Sequence, residues 1–526
     1  MQENFLIGIG GTGSRVLEAF VHCCASGFGP KGKVHLMLID PDNGNGNLTR
    51  TKTLIQKYRA LRAAFKREEN NTAFQTDIVI PEGDAPFIWS IFEEADQTLA
   101  KYIGYENLKS QDQSLAAVAD LLFTQLELDT ALNEGFRGHP SIGAVVMANP
   151  PMDKYPFKML KDNMPAEAGA ARVFLVGSIF GGTGAAGFPT LGADAVLKYN
   201  AELQTALGGG RSKVLLGGAL VLPYFNFKVD NSKGEKMFVT PQDFPAATKA
   251  ALHYYNDKQL AFDQYYFIGD SLGQDVGAFS TGTSTQENKP HYVELASALA
   301  AFDFFGQETP KDGADKSYFI ASREADQVTW DELPLTRNGA KLSEMRDQFR
   351  TCVSEFTLFC YTYLTLGRKY LNEPYKEVKN RAWFRDSFKS YEEDSARHNP
   401  SHGKNKDLHD QAADYASLFL KWVTDLDDGD NVRLISRDML LGTGAPEKDA
   451  AGKTRLSLRD PETHPANLGR LLRDKQAGKT YFDYYAILDD KNRSVIADDT
   501  QDAADKYLNI FFRAAREFNK DNTALR

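Results

Sequence analysis

Two glycine-rich stretches carry the residues best suited to chemistry. Gly8-Ile9-Gly10-Gly11-Thr12-Gly13-Ser14 closes an apolar run at 5–9, and Phe180-Gly181-Gly182-Thr183-Gly184-Ala185-Ala186-Gly187 follows another at 173–178. Each leads into a helical pattern. Glycines let the backbone approach a phosphate closely, and the first turn of the following helix offers N–H donors at a positive dipole end. One such loop is a weak signal, because tight packing turns use the same residues. Two of them, each between a strand and a helix, fit a polyphosphate cradled from two sides. The run at 34–39 ends in Asp40-Pro41-Asp42-Asn43, an acidic cluster at the carboxyl end of a strand, where a dinucleotide-binding fold holds a ribose. A third match, Gly27-Phe28-Gly29-Pro30-Lys31-Gly32-Lys33, fits GxxxxGK, but Val34 replaces the metal-binding Ser/Thr and the stretch precedes a strand, so it reads as a plain turn.

The elements that must position these loops alternate up to about residue 305. Strands are expected at 5–9, 34–39, 144–147, 173–178, 214–222 and 265–268, and helices at 14–24, 48–65, 114–132, 187–206 and 242–256. Several strand runs are apolar along their whole length, as expected when helices cover both faces. The rhythm predicts an α/β fold with a mostly parallel, Rossmann-like sheet, whose ligands sit in the loops at the strands' carboxyl ends. Beyond 306 the rhythm fails. A polar connection at 307–316 leads to an aromatic-rich helix at 343–371, a polar loop at 392–406 broken by Pro400 and Gly403, and helices at 408–426 and 502–519. Two regions are therefore expected: 1–305, which carries the loops, and 306–526, largely helical.

The composition narrows the function classes. Of 526 residues, 42% are hydrophobic and 25% charged, the balance of a globular chain and not of a disordered one. The net charge of -10 disfavours general binding to a nucleic-acid backbone. Cys23, Cys24, Cys352 and Cys360 form no CxxC pair and read as free thiols, with Cys23-Cys24 in a helix core. Apolar runs stop at about ten residues, short of the ~20 that cross a bilayer, and no basic leader precedes the first strand, so a cytoplasmic protein is expected. His398, His402 and His409 read as a solvated loop, because Pro400 breaks any helical ligand spacing. Phe356, Phe359, Tyr361 and Tyr363 read as core. No GxSxG elbow supports Ser/His/Asp catalysis.

Over about residues 5–305 the motifs, in order, resemble the tubulin/FtsZ family, in particular its divergent bacterial tubulin-like branch. Phe180–Gly187 resembles the family's GGGTGSG phosphate loop, and 8–14 its first nucleotide loop. The resemblance implies a bound GTP or GDP contacted by Gly10, Gly11, Thr12, Gly13, Gly181, Gly182, Thr183 and Gly184, with Mg²⁺ near Asp40 and Asp42. Arg137-Gly138-His139-Pro140-Ser141-Ile142-Gly143 is similar to the loop that reaches the γ-phosphate, which places Gly138 and Pro140 there and Arg137 near the transition-state charge. Val221-Leu222-Pro223-Tyr224-Phe225-Asn226-Phe227 resembles the next loop. Tyr266-Phe267-Ile268-Gly269-Asp270 looks like the strand carrying the base-reading Asn, here Asp270, an acceptor for guanine N1–H and N2–H₂. Pro290-His291-Tyr292-Val293-Glu294-Leu295 is similar to the start of the central helix, whose Tyr stacks on the base; Ala296 replaces a second family Asn. In place of the family's catalytic acid loop, the nearest acids are Glu324 and Asp326, and 306–526 does not match its second domain.

The resemblance implies a nucleotide-dependent switch or self-assembling component, with slow GTP hydrolysis, oligomers or filaments, and an operon-encoded partner. Three alternatives fit parts of the chain. Residues 8–50 also look like ThiF-type or ubiquitin-activating adenylyltransferases, which bind ATP through a loop, an acid and an Asn/Arg cluster, here Asp40, Asn47 and Arg50. An NAD-binding Rossmann protein uses the first loop alone, and a non-hydrolysing scaffold would keep its nucleotide permanently.

Overall fold

The computed structural model describes residues 2–520 except 43, 83–85, 90–96, 133–135, 137, 149, 166–170, 193–200, 202–204, 206–213, 229–239, 271–273, 279–287, 308–316, 324, 335–340, 373–377, 379, 389–395, 443–446, 449–453, 473–477 and 491–501. Its described strands are β1 (Glu3–Ile9), β2 (Lys33–Ile39), β3 (Asp77–Val79), β4 (Ile88–Trp89), β5 (Ala171–Ser178), β6 (Val214–Val221), β7 (Phe225–Lys228), β8 (Gln264–Gly269), β9 (Gln274–Ala278), β10 (Ser317–Ser322) and a short antiparallel pair, β11 (Glu447–Lys448) and β12 (Thr454–Arg455). Eight of them form one parallel sheet in the order β10-β8-β6-β5-β1-β2-β3, with β4 also paired to β2. β1 and β5 are buried along almost their whole length, which is why they read as continuous apolar runs. β7 and β9 form a separate pair.

The helices of the first region are α1 (Gly10–Ala25), α2 (Gly46–Ala64), α3 (Leu99–Tyr102), α4 (Tyr105–Gln111), α5 (Gln113–Leu122), α6 (Gln125–Leu128), α7 (Pro140–Met147), α8 (Lys158–Asp162), α9 (Gly182–Leu191), α10 (Phe244–Lys258) and α11 (Tyr292–Gly306). α1, α2 and α11 build the core on one face of the sheet, and α7, α9 and α10 contribute to the core on the other. Three long helices follow: α12 (Lys341–Thr362), which runs on into a π-helical turn at Tyr363–Gly367, then α13 (Lys406–Asp430) and α14 (Ala503–Lys520). They share the core of the first face. The His22 ring of α1 stacks on Trp422 at 4.9 Å, the Tyr415 hydroxyl reaches Val21 O at 3.5 Å, and Asp505 accepts from the Lys66 N–H at 2.8 Å. Burial lowers the His22 pKa to about 3, so the ring is a neutral core group.

Several expectations change. The run at 144–147 is the end of helix α7, not a strand. Pro140 occupies its first turn, and Ile142, Gly143, Val146 and Met147 are buried at helical spacing. The helix expected over 114–132 breaks at Phe123, whose backbone is extended (φ -131°), because Thr124 and Glu127 form a capping box that starts α6. The helix expected at 187–206 begins at Gly182 and is described to Leu191. β10, beyond residue 305, returns to the sheet beside β8. His409 is buried: its ring nitrogens lie 2.9 Å from the Tyr363 hydroxyl and 3.0 Å from Pro400 O, so it packs as a core group and not in a solvated loop.

Where α12 and α14 meet the loop at 68–73, a cavity of about 280 Å³ is lined by Glu355, Asn509, Arg513 and Arg516 among others. Burial pushes the Glu355 carboxyl up to about 7, against the pull of Arg516, Asn519 and Lys520 and with a small push from Glu517. An acid with a raised folded-state pKa stabilises fully below the ordinary carboxylate range and loses that contribution as pH rises through the folded value. The wild-type protein should therefore lose up to about 3 kcal/mol more than Glu355→Gln between pH 4.5 and pH 7.5. Paired urea titrations across that range check this, and parallel pH profiles would refute it.

Candidate nucleotide crevice

Strand register places the two glycine loops side by side. Ile9 is paired with Ile39 on one side and with Gly177 on the other, so Gly10 at the start of α1, Asp40 after β2 and Ser178 at the end of β5 lie level at the same carboxyl edge. β1 leads outward to β2 while β5 lies on its opposite flank, which makes the β1/β5 gap a topological switch point, where open α/β sheets bind ligands.

The loops touch. A Cβ placed on Gly10 would lie 3.4 Å from Thr183 Cβ and 3.9 Å from Gly184 N. One on Gly182 would lie 3.1 Å from Gly138 N and 3.2 Å from His139 N, so the start of α7 closes a third side. Gly10 and Gly138 adopt positive φ (71° and 85°), a conformation that glycine reaches without strain. The N-cap residues of α1 and α9 are Ile9 and Gly181, neither of which has a side-chain acceptor for the first-turn N–H groups. α7 starts with His139 as N-cap and Pro140 in its first turn. Three helix N-termini thus converge on one crevice, a setting suited to an anion.

The glycines differ in purpose. A Cβ on Gly13 would lie 2.6 Å from Gly8 C, so this glycine lets α1 cross β1 closely. A Cβ on Gly184 would lie 2.1 Å from Ser178 O, a backbone collision. Gly184→Ala is therefore expected to cost about 3 kcal/mol of folding stability, the upper end for overpacking, read as a lower urea midpoint. Gly11 has nothing within 4 Å of its Cβ position, so a side chain there enters open space.

Asp40 and Asp42 sit on the rim of the crevice and are buried. The Asp42 N–H donates to Asp40 Oδ1 and the Gly44 N–H to Asp42 Oδ1, both at 3.0 Å. Burial pushes the Asp40 carboxyl up to about 7, against the bond from the Asp42 N–H and with the Asp42 charge adding to the rise. Two carboxylates beside an anion crevice suit Mg²⁺, which takes one or two carboxylates and completes its shell with phosphate oxygens and water. Among the described residues no group of three or more His, Cys, Asp or Glu gathers to hold a metal by itself.

Behind the first loop lies a cluster that sequence reading missed. The buried Arg15 guanidinium donates to Glu294 and to the Tyr224 hydroxyl, and reaches Asn288 Oδ1 at 3.3 Å. Tyr224 donates to Glu294 Oε1 at 3.0 Å and shares a side-chain hydrogen bond with Thr12. Burial alone would lower the Arg15 pKa, but Tyr224 and Glu294 outweigh it and hold it above its ordinary value. Asn47 and Asn288 bond each other twice at 3.0 Å, and Arg50 grips Glu18 at 2.7–3.0 Å. Asn47 and Arg50 thus tie α2 to α1 and to the approach to α11. The available signal was a pair of charged residues, Arg15 and Glu18, just after a glycine-rich turn on a largely apolar helix.

At the next loops the structure places the remaining expected residues as follows. Asp270 follows β8, two strand spacings from β5, or about 10 Å. Its buried carboxylate pairs with Arg323 at 2.6 Å and lies 3.6 Å from His291 Nε2. Tyr292 is buried with its ring 5.5 Å from the Arg323 guanidinium. Both expected base contacts are thus engaged by Arg323 within the chain. Asp326 is exposed, and its carbonyl accepts from Asn431 Nδ2 at 2.7 Å, on the side where Val328 bridges Val432. Arg137 and Glu324 lie outside the described residues. On the third loop, His139 Nδ1 meets Glu127 of α6 at 2.8 Å. Burial pushes the Glu127 carboxyl up, but bonds from Thr124 and the contact with His139 outweigh this and hold it below the ordinary carboxylate range.

No family model matches this chain, and neither does any curated protein.

Proposed function

We propose that the crevice binds a nucleotide, GTP or GDP with Mg²⁺, and that the protein is a tubulin-like nucleotide-dependent switch or self-assembling component. The observation that carries this reading is the convergence of the α1, α9 and α7 N-termini at the switch point of a parallel sheet. The first-turn N–H groups of α1 and α9 bind the phosphates, while the positive-φ glycines Gly10 and Gly138 keep side chains out of their path. Asp40 and Asp42 hold Mg²⁺, which supplies charge neutralisation to the phosphates when bound. The guanine preference rests on the resemblance alone, because Asp270 and Tyr292 are both engaged by Arg323. A terminal phosphate against Gly138 orders the start of α7, and the Glu127–His139 contact passes that order to α6. Slow hydrolysis needs a positioned water beyond this, and the contact that Asp326 makes is through its carbonyl, to Asn431.

The adenylyltransferase reading has less support, because Arg50 is spent on Glu18 and Asn47 on Asn288. Titration of fluorescent guanine and adenine nucleotides, with and without Mg²⁺, tests the proposal. Saturable binding that is tighter for guanine and strengthened by Mg²⁺ supports it. Tighter adenine binding moves the reading to the ATP alternative, and no binding of either ends it.

A further inference from the structure

We propose that the cavity between α12, α14 and the loop at 68–73 binds a small zwitterion of the amino-acid class, its ammonium on Glu355 and its carboxylate on Arg516. The volume of about 280 Å³ corresponds to roughly nine water molecules at ~30 Å³ each, room for a solute of about nine or ten non-hydrogen atoms and too little for a nucleotide. Its wall is pinned in place. On α14, Asn509, Arg513 and Arg516 stand at i, i+4 and i+7, on one face of the helix, and grip the neighbouring loop at three points. Asn509 Nδ2 donates to Lys66 O at 2.9 Å, Arg513 Nη2 to Glu68 Oε1 at 2.6 Å, and Arg516 Nη1 to Asn70 O at 2.8 Å. A wall fixed before the ligand arrives spares binding the cost of ordering it.

Six charged side chains line the cavity, and four of them are paired off: Arg513 with Glu68 at 2.6 Å and Lys520 with Glu517 at 2.7 Å. Glu355 on α12 and Arg516 on α14 remain, and Arg516 acts on Glu355 through its charge and not through a hydrogen bond. Opposite charges that share a cavity without closing on each other leave room for a ligand that carries both signs. A simple anion is repelled by Glu355 and a simple cation by Arg516, so each gains at one end and loses at the other. Phe356 and Phe512, with ring centroids 6.0 Å apart and planes inclined by 27°, supply an apolar wall for the ligand's carbon atoms.

The protonation of Glu355 gives the ligand's ammonium a signature. Burial raises the carboxyl to about 7 against Arg516, Asn519 and Lys520, with Glu517 adding to the rise. An arriving ammonium favours the charged carboxylate, so below pH 7 binding expels the Glu355 proton and its affinity rises with pH. The site is separate from the crevice. Ser26, which lines the cavity, follows the last turn of α1, about 24 Å along that helix from Gly10. The inference therefore does not rest on the nucleotide reading.

The full chain, dialysed free of small solutes, is melted with each of the common amino acids added singly, and with propylamine and propionate, which carry one charge each. A saturating rise of the melting midpoint with at least one amino acid, and with neither single-charge probe, is the expected result. No shift with any amino acid overturns the site, and an equal shift with propylamine or propionate overturns recognition at both ends. Calorimetric titration with the amino acid that shifts the midpoint most should show affinity rising by up to about 25-fold between pH 5.5 and pH 7.5. Glu355→Gln, of the same shape, should bind at least about tenfold more weakly at pH 7.5 and lose that slope, while Arg516→Gln should lose as much affinity and keep the slope. Unchanged affinity in either variant overturns the assignment. Should a variant fail to fold, the wild-type slope decides, and an affinity flat across that range overturns the role of Glu355. Gly11→Asp should keep the shift, and its loss there would move the ligand to the crevice and overturn this site.

Discussion

Gly11→Asp is expected to weaken nucleotide binding at least about 100-fold while leaving the fold intact or slightly more stable. Gly11 is in the first turn of α1, and nothing lies within 4 Å of the position its Cβ would take. The Cβ of an aspartate there meets no chain atom within 4 Å, and its carboxylate stands in the first turn whose N–H groups are proposed to bind the phosphates. It also places a negative charge at a helix N-terminus, which ordinarily stabilises by about 0.3–1 kcal/mol. Toward a phosphate the same charge is repulsive. At roughly 4–5 Å and an effective dielectric near 20 the interaction is about 3–4 kcal/mol, of which 2.7 kcal/mol already corresponds to about 100-fold. Gly11→Ala is the control, small and uncharged, and should bind within about tenfold of wild type. The measurement pairs a binding titration with a melting curve. Retained affinity in Gly11→Asp would mean that the open space beside α1 is not where the phosphates sit.

Arg15→Ala is expected to destabilise the protein by about 3–5 kcal/mol, the range for breaking a buried ion pair by removing one partner. Arg15 and Glu294 are nearly inaccessible, with side-chain exposures of 7% and 3%. Removing the guanidinium leaves the Glu294 carboxylate facing the Tyr224 hydroxyl and its own capping bond from the His291 N–H at 3.0 Å. These neutral donors do not balance a charge in a dry site. Replacing both charges, Arg15→Met with Glu294→Leu, should recover most of the loss, because two apolar groups of similar volume leave no charge stranded. Chemical denaturation of the single and double variants gives the comparison. A single-variant loss below about 1 kcal/mol would show that the cluster is solvated and does not brace α1 against α11.

The two glycine-rich turns at the sheet's carboxyl edge were legible because they are local. Glycines between a strand and a helix are consecutive residues, and the β1 and β5 runs are apolar along their length because helices cover both faces of those strands. What joins distant parts of the chain was not. Arg15 meets Glu294 across 279 residues, and Asp270 meets Arg323 across a described strand that sequence periodicity did not reveal. β10 was hidden because its Tyr318 and Ile320 face outward, giving an edge strand without a buried run. The stretch at 144–147 misled for the opposite reason: a short apolar run has no period of its own, and only Pro140 in the first turn distinguishes a helix there.

The most direct test of the nucleotide assignment is the identity of whatever copurifies with the protein. The purified chain is denatured, and its supernatant is run on ion-exchange chromatography beside that of Gly11→Asp prepared identically. GTP or GDP is expected from the wild type and none from the folded variant. ATP, AMP or NAD from the wild type, or the same nucleotide from both proteins, would contradict it.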